Sequence, residues 1–259
     1  MRFLHLTFIF AALSLVSCEE LIQIDLNEAD SRYVIEADLT NLSDEQAIYV
    51  SETVAFDAPV KNTPVSNAVI NVRDDKGTTY TFTHQANGKY TAPFKPKETT
   101  NYNLTVNIDG EIFESSSYMH DYIDVRSTGI TEDVIFTDTL YSVSLKFEDP
   151  KNVPNYYKYN ISINGKDFSF ASVFNDKFND GLIVTHELSD RKNSIELGDT
   201  VTVRRQIIDK GVYDYWNDLQ SINPGSAAPA NPKSNISNGA LGYFSVSSSK
   251  IYGFRISFN

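Results

Sequence analysis

From residue 33 to the C-terminus, apolar and polar side chains alternate with a period of two in run after run. Ile70 and Val72 alternate with Val69, Asn71 and Arg73, and Tyr102, Leu104, Val106 and Ile108 alternate with polar neighbours. Tyr141, Val143, Leu145 and Phe147 repeat the pattern, as do Tyr157, Tyr159, Ile161 and Ile163. Successive side chains of a strand point to opposite faces, so each run predicts one buried and one wet face. Half-wet strands belong to antiparallel sheets. Asn87-Gly88, Asp109-Gly110 and Asn164-Gly165 lie between such runs, and these pairs tolerate the positive φ of tight hairpins. The fold class is therefore all-β, an antiparallel sandwich of immunoglobulin-like type. A membrane barrel is set aside, because the wet faces carry Lys, Asp, Asn and Arg where lipid would demand apolar side chains.

Regularity lapses between Ser117 and Thr137, which suggests two tandem sandwiches over 33–119 and 120–259. One helix interrupts the second half. Asp209 is a good N-cap, and Val212, Tyr215, Trp216, Leu219 and Ile222 share a helical face, predicting a helix over 210–222. Trp216, the sole Trp, is expected to pin that helix to a sheet. Residues 223–238 follow, rich in Pro, Ser, Asn and Ala and without periodicity. A loop this long is usually functional or disordered. Alternation resumes after it and reaches Phe254, Ile256 and Phe258, so the loop is held at both ends.

The first residues are of another kind. Met1-Arg2 precedes an apolar run from Phe3 to Val16, shorter than the roughly 20 residues of a spanning helix and suited to a signal peptide over 1–17. It ends in Leu15-Val16-Ser17-Cys18, which resembles the bacterial lipobox. Cys18 is the only cysteine, so no internal disulfide and no Cys-rich metal site can form. A diacylglycerol thioether and an amide-linked acyl chain on Cys18 would anchor the body stably, at about 0.8 kcal/mol per buried methylene. Residues 18–32 then read as a lipidated tether. Glu19-Glu20 resembles the surface-export signal of Bacteroidetes lipoproteins, placing the anchor in the outer membrane with the body exposed. Net charge is −12, which repels phosphate backbones and argues against nucleic acid as a partner.

Motifs for catalysis are lacking: there is no G-x-S-x-G elbow, Walker loop or dinucleotide fingerprint. His186-Glu187 begins like a zincin helix, but position 190 is Asp. The expectation is a non-enzymatic protein with no cofactor beyond the lipid. One segment, Asn175-Asp176-Lys177-Phe178-Asn179-Asp180-Gly181, gathers oxygen donors in a turn. Asp176, Asn179 and Asp180 are candidate calcium ligands, although Phe178 breaks the alternating ligand register and an acidic turn is the ordinary reading.

Several segments together resemble one family. They are Cys18-Glu19-Glu20, Ile24-Asp25-Leu26, Tyr33 to Ala37, Phe174 to Gly181, Gly198 to Val203, Tyr213 to Trp216, Gly225 to Pro232 and Asn235 to Phe244. They are similar to the Bacteroidetes lipoproteins termed domain of unknown function forty-two forty-nine. That resemblance implies an accessory to a TonB-dependent outer-membrane transporter, acting in nutrient capture or import, with no catalytic residues to carry over. Gly225, Ser226, Pro229, Asn231, Pro232 and Trp216 are then the candidate partner contacts, since loops on a rigid sandwich carry most binding sites. The alternatives are a stand-alone glycan-binding or adhesin module and a hydrolase with a dispersed site.

Overall fold

The computed structural model describes residues 31–55, 59, 62–136, 138–190, 194–221 and 232–257. Fifteen strands and one helix are formed among the described residues. In chain order they are β1 (Tyr33–Thr40), β2 (Glu45–Glu52), β3 (Thr63–Pro64), β4 (Val69–Asp74), β5 (Thr79–Ala86), β6 (Lys89–Pro93), β7 (Thr100–Ile108) and β8 (Glu111–Met119). The second half holds β9 (Val125–Ile135), β10 (Asp138–Glu148), β11 (Tyr156–Ile163), β12 (Ser169–Asn175), β13 (Ile183–Leu188), β14 (Thr200–Ile208), helix α1 (Lys210–Ser221) and β15 (Leu241–Arg255). The all-β sandwich expected from the alternation is what forms.

Hairpin chemistry sets the local register. Asn87 and Gly88, Asp109 and Gly110, and Asn164 and Gly165 all have positive φ, the conformation of a primed turn whose twist matches the strands it joins. β7 and β8 pair from Thr100↔Met119 to Ile108↔Glu111 across the second of these turns. In β4 and β7 the alternate residues Ile70, Val72, Tyr102, Leu104, Val106 and Ile108 are buried.

One sheet runs β12-β11-β14-β15-β1-β2-β6-β5-β4-β7-β8, and a smaller one runs β13-β10-β9. The large sheet folds back so that β8 meets β15, enclosing a core of Ile35, Leu39, Ile48, Val72, Leu104, Phe113 and Phe244. Its other end packs on the small sheet around Leu145, Phe147, Tyr157, Tyr159, Ile161 and Val203. The first core draws on strands up to Met119 and also on Ile236, Phe244 and Val246, the second on residues from Val143 to Ile256, and β15 serves both. Its first half pairs with β1 and its second with β14, and the chain from Ser31 onward forms one compact unit.

Two features depart from simple antiparallel, half-wet strands. β1 and β15 run parallel, with Ala37 opposite Phe244; this pairing needs Gly242, where a Cβ would lie 2.1 Å from the Ile35 carbonyl oxygen. β11 is buried on both faces, so that Lys158, Asn160 and Ser162 are covered as well as Tyr157, Tyr159 and Ile161. The covering element is α1, which packs on β11, β12 and β15. Asp209 caps it as expected: its Oδ1 accepts the Val212 N–H at 3.1 Å, while its Oδ2 accepts the Ser117 hydroxyl at 2.6 Å. Ile222 lies outside the described residues.

Candidate functional site

The face of the large sheet turned away from both cores carries a charged cluster built from three strands. In β1, Ala37 points into the core and Asp38 therefore points out, beside Ser245 of β15. In β11 and β14, Lys158 lies opposite Gln206 and Asn160 opposite Arg204 on the same face. Asp38 receives Lys158 Nζ at 3.1 Å and Arg204 Nη2 at 3.3 Å, and Gln206 Nε2 donates to its other oxygen at 2.8 Å. Burial alone would raise the Asp38 pKa, but the two cations and the Gln206 amide more than offset it and hold the carboxyl below its usual range. Lys158 is 1% exposed along its side chain, and its Nζ sits 4.4 Å from the Trp216 ring centre. Trp216 stacks on Phe170 at 4.6 Å and meets Tyr243 edge-on at 5.3 Å. The indole thus pins α1 to the sheet, as expected, and also roofs a buried ammonium.

Beside this cluster lies an open groove of about 440 Å³, walled by Glu36, Asp38, Tyr49, Arg204 and Tyr243 and by the turn at Leu42-Ser43. Four buried polar atoms on the covered face have no partner among the described residues: Arg204 Nε, Gln206 Oε1, Ser245 Oγ and Trp216 Nε1. An unpaired buried polar atom costs roughly 1–3 kcal/mol, and of the four residues Arg204 alone also lines the groove. Asp38, Lys158 and Arg204 carry one net positive charge, and Glu36 stands at the rim. A carboxylate engaged by two cations makes a poor general base. The chemistry available is recognition of a small polar group.

The loop proposed for partner contact leaves α1. Gly225, Ser226, Pro229 and Asn231 lie outside the described residues; Pro232 is the first residue described beyond them. From there the chain is tied down closely. Lys233 N–H bonds Asp218 Oδ2 at 3.0 Å. The Asn235 amide clamps Phe244, accepting its N–H at 2.9 Å and donating to its carbonyl at 2.8 Å. Ser237 N–H then bonds the Glu114 carbonyl at 2.8 Å.

The acidic turn lies between β12 and β13. Asp176 and Asp180 come together there with Asp149, a residue from the end of β10 that the sequence pattern did not single out. Asn179 takes part through its backbone, whose N–H bonds the Asp176 carbonyl at 2.7 Å. His186, whose neighbours resembled the start of a zincin motif, is buried among aromatic rings on β13. It accepts or donates a hydrogen bond at 2.8 Å between Nδ1 and the Tyr159 hydroxyl.

Lys158, Asp38 and Arg204 were missed by sequence reasoning because alternation assigns them to wet faces. The available signal was Lys158 itself, a lone charge inside the aromatic run Tyr156-Tyr157-Lys158-Tyr159. No curated protein matches this chain. A family model described as Domain of unknown function (DUF4249) matches residues 19–252, and the chain belongs to that family.

Proposed function

We propose that this chain is a non-enzymatic surface lipoprotein, held to the outer membrane by lipid on Cys18, that serves a TonB-dependent transporter as an accessory in nutrient capture or import. The observation that carries this reading is the groove over Asp38 and Arg204. Its walls carry the polar side chains of Glu36, Asp38, Tyr49, Arg204 and Tyr243, and Asp38 is a carboxylate neutralised by two cations. Such a site suits holding a polar cargo and suits bond cleavage poorly. Tyr215 and Trp216 of α1 pack on Tyr243 of the groove wall, so the segment 223–238 begins at the end of a helix that contacts the site.

Deleting Gly225 to Pro232 should leave thermal stability nearly intact and abolish co-purification of the tagged chain with a transporter from solubilised membranes. Undiminished co-purification, or unfolding of the deletion variant, would count against a contact role for the loop.

A second reading has its own observation. Tyr49, 48% exposed, stands on the groove wall with Glu36 and Asp38, and an aromatic face beside carboxylates is also the chemistry of sugar recognition. A stand-alone glycan-binding module would bind an array of glycans with no transporter present, and Tyr49→Ala would remove that binding.

A further inference from the structure

Two turns meet at the end of the smaller sheet, one joining β10 to β11 and the other joining β12 to β13. Asp149 N–H bonds the Leu182 carbonyl at 2.9 Å, and Asn152 N–H bonds Asp180 Oδ1 at 2.6 Å. Asn155 and Asp176 are joined twice, by Asn155 N–H to Asp176 Oδ2 at 2.9 Å and by Asp176 N–H to the Asn155 carbonyl at 3.2 Å. The result brings carboxylate oxygens of Asp149, Asp176 and Asp180 within 4.8 Å of one another, with no cation of the protein paired to any of them among the described residues.

Three acidic groups alone prove nothing, since exposed acidic turns are common. Two further atoms separate this cluster from an ordinary turn. Asp149 is 2% exposed and Asn155 4%, and neither Asp149 Oδ2 nor Asn155 Oδ1 has a hydrogen-bond partner among the described residues. Asp149 uses its other oxygen to accept the Tyr157 hydroxyl. Burial, together with the charges of Asp176 and Asp180, pushes its pKa up in spite of that bond and of a backbone hydrogen bond from Gly181. A buried acceptor without a donor, facing like charges, is costly unless a cation compensates it.

We propose that Asp149, Asp176 and Asp180, with the Asn155 side-chain oxygen, form a calcium site that locks the two turns together. The donors are all hard oxygens, with neither the thiolate nor the imidazole that zinc prefers. Calcium bonds oxygen at about 2.3–2.6 Å, so oxygens on opposite sides of the ion stand up to about 5 Å apart, and one oxygen from each carboxylate lies within 4.8 Å of the others, inside that span. Magnesium, at about 2.0–2.1 Å with strict octahedral geometry, gives up its waters reluctantly and is poorly suited to a site built from protein oxygens alone. The site keeps Asp176 and Asp180 of the sequence motif and replaces Asn179 with two residues from the preceding turn.

The test uses the full chain purified in mild detergent, stripped with EDTA and dialysed. Adding 5 mM CaCl₂, with a dissociation constant on the order of 10⁻⁴ M, should raise Tm by about 5 °C or more, and MgCl₂ by much less. Asp180→Asn and Asp176→Asn retain an oxygen for their backbone partners, so both should fold in EDTA with Tm near or above that of the parent, and both should lose the calcium shift. Tb³⁺ added to the unmodified chain should give emission sensitised by Tyr157 and quenched by Ca²⁺, a readout that needs no variant. Absence of both the calcium shift and the Tb³⁺ emission would overturn the site. Equal shifts from Ca²⁺ and Mg²⁺, or a calcium shift that survives in both variants, would overturn it too.

Discussion

Acid should unfold this protein through His186, and the size of the effect can be worked from its surroundings. The ring is 4% exposed. It stacks on Phe174 at 4.1 Å and meets Phe147 and Tyr157 edge-on at 5.0 and 5.3 Å. Arg205 Nε donates to the Tyr159 oxygen at 3.1 Å, which leaves the Tyr159 hydroxyl proton to go to His186 Nδ1. That arrangement requires a neutral imidazole with its proton on Nε2. Burial first, and the Arg205 charge second, lower the His186 pKa from 6.5 to about 3. A depressed folded-state pKa means the contribution is complete above about 6.5 and is lost as pH falls from there toward 3. At about 1.4 kcal/mol per pH unit, the loss over the whole window is on the order of 5 kcal/mol, a large share of a typical domain's stability. His186→Asn keeps an acceptor for Tyr159 but cannot titrate. In urea unfolding it should be about 1–3 kcal/mol less stable than the parent at pH 7, through lost ring contacts. By pH 4 that gap should have moved in the variant's favour by about 3 kcal/mol. A gap that stays constant with pH would refute the assignment.

Other substitutions probe other joints. Gly242→Ala drives a methyl group to 2.1 Å from the Ile35 carbonyl oxygen and should cost about 3 kcal/mol or more by chemical unfolding. Gly110→Ala has a similar φ and nothing within 4 Å, so it should cost only about 1 kcal/mol; equal losses would contradict a packing role for Gly242. Asp38→Asn leaves Lys158 buried without its counter-charge and should cost about 3–5 kcal/mol, part of which Lys158→Met should restore in the double variant. Asp209→Ala removes the cap of α1 and the anchor of Ser117, and a drop of about 1–2 kcal/mol in a denaturant titration is expected.

The parts of the molecule legible in the sequence are those governed by near neighbours. Alternation reads which face of β4, β7 and β10 is buried, because side-chain direction is a local property of a strand. Positive φ at Asn87-Gly88 and Asp109-Gly110 follows from residue type, and so does the cap at Asp209. Contacts made across the fold left no such trace. Asp38 and Arg204 are 166 residues apart, and nothing near either one announces the other. The parallel pairing of β1 with β15 is equally remote; in hindsight only Gly242 hints at it, as a glycine inside an apolar run. Lys158 reads as wet because alternation cannot know that α1 will cover its face.

The acidic turn shows the same division. Asp176 and Asp180 stand out because they share one segment, whereas Asp149 and Asn155 belong to a different turn and join them only after β11, β12 and the smaller sheet have formed. Asn179, close in sequence, is drawn into the backbone bonding of the turn. A local motif therefore singles out two of the four proposed donors and is blind to the two that come from another turn.

Anchorage through Cys18 is tested most directly by mass spectrometry of the N-terminal peptide released from protein extracted from outer membranes. The expected product begins at Cys18, carries a diacylglyceryl thioether and an acylated amine, and disappears in Cys18→Ser together with retention of the chain in the membrane fraction. A peptide that begins elsewhere or carries a free thiol, or a Cys18→Ser protein that stays membrane-bound, would contradict a lipid-anchored body.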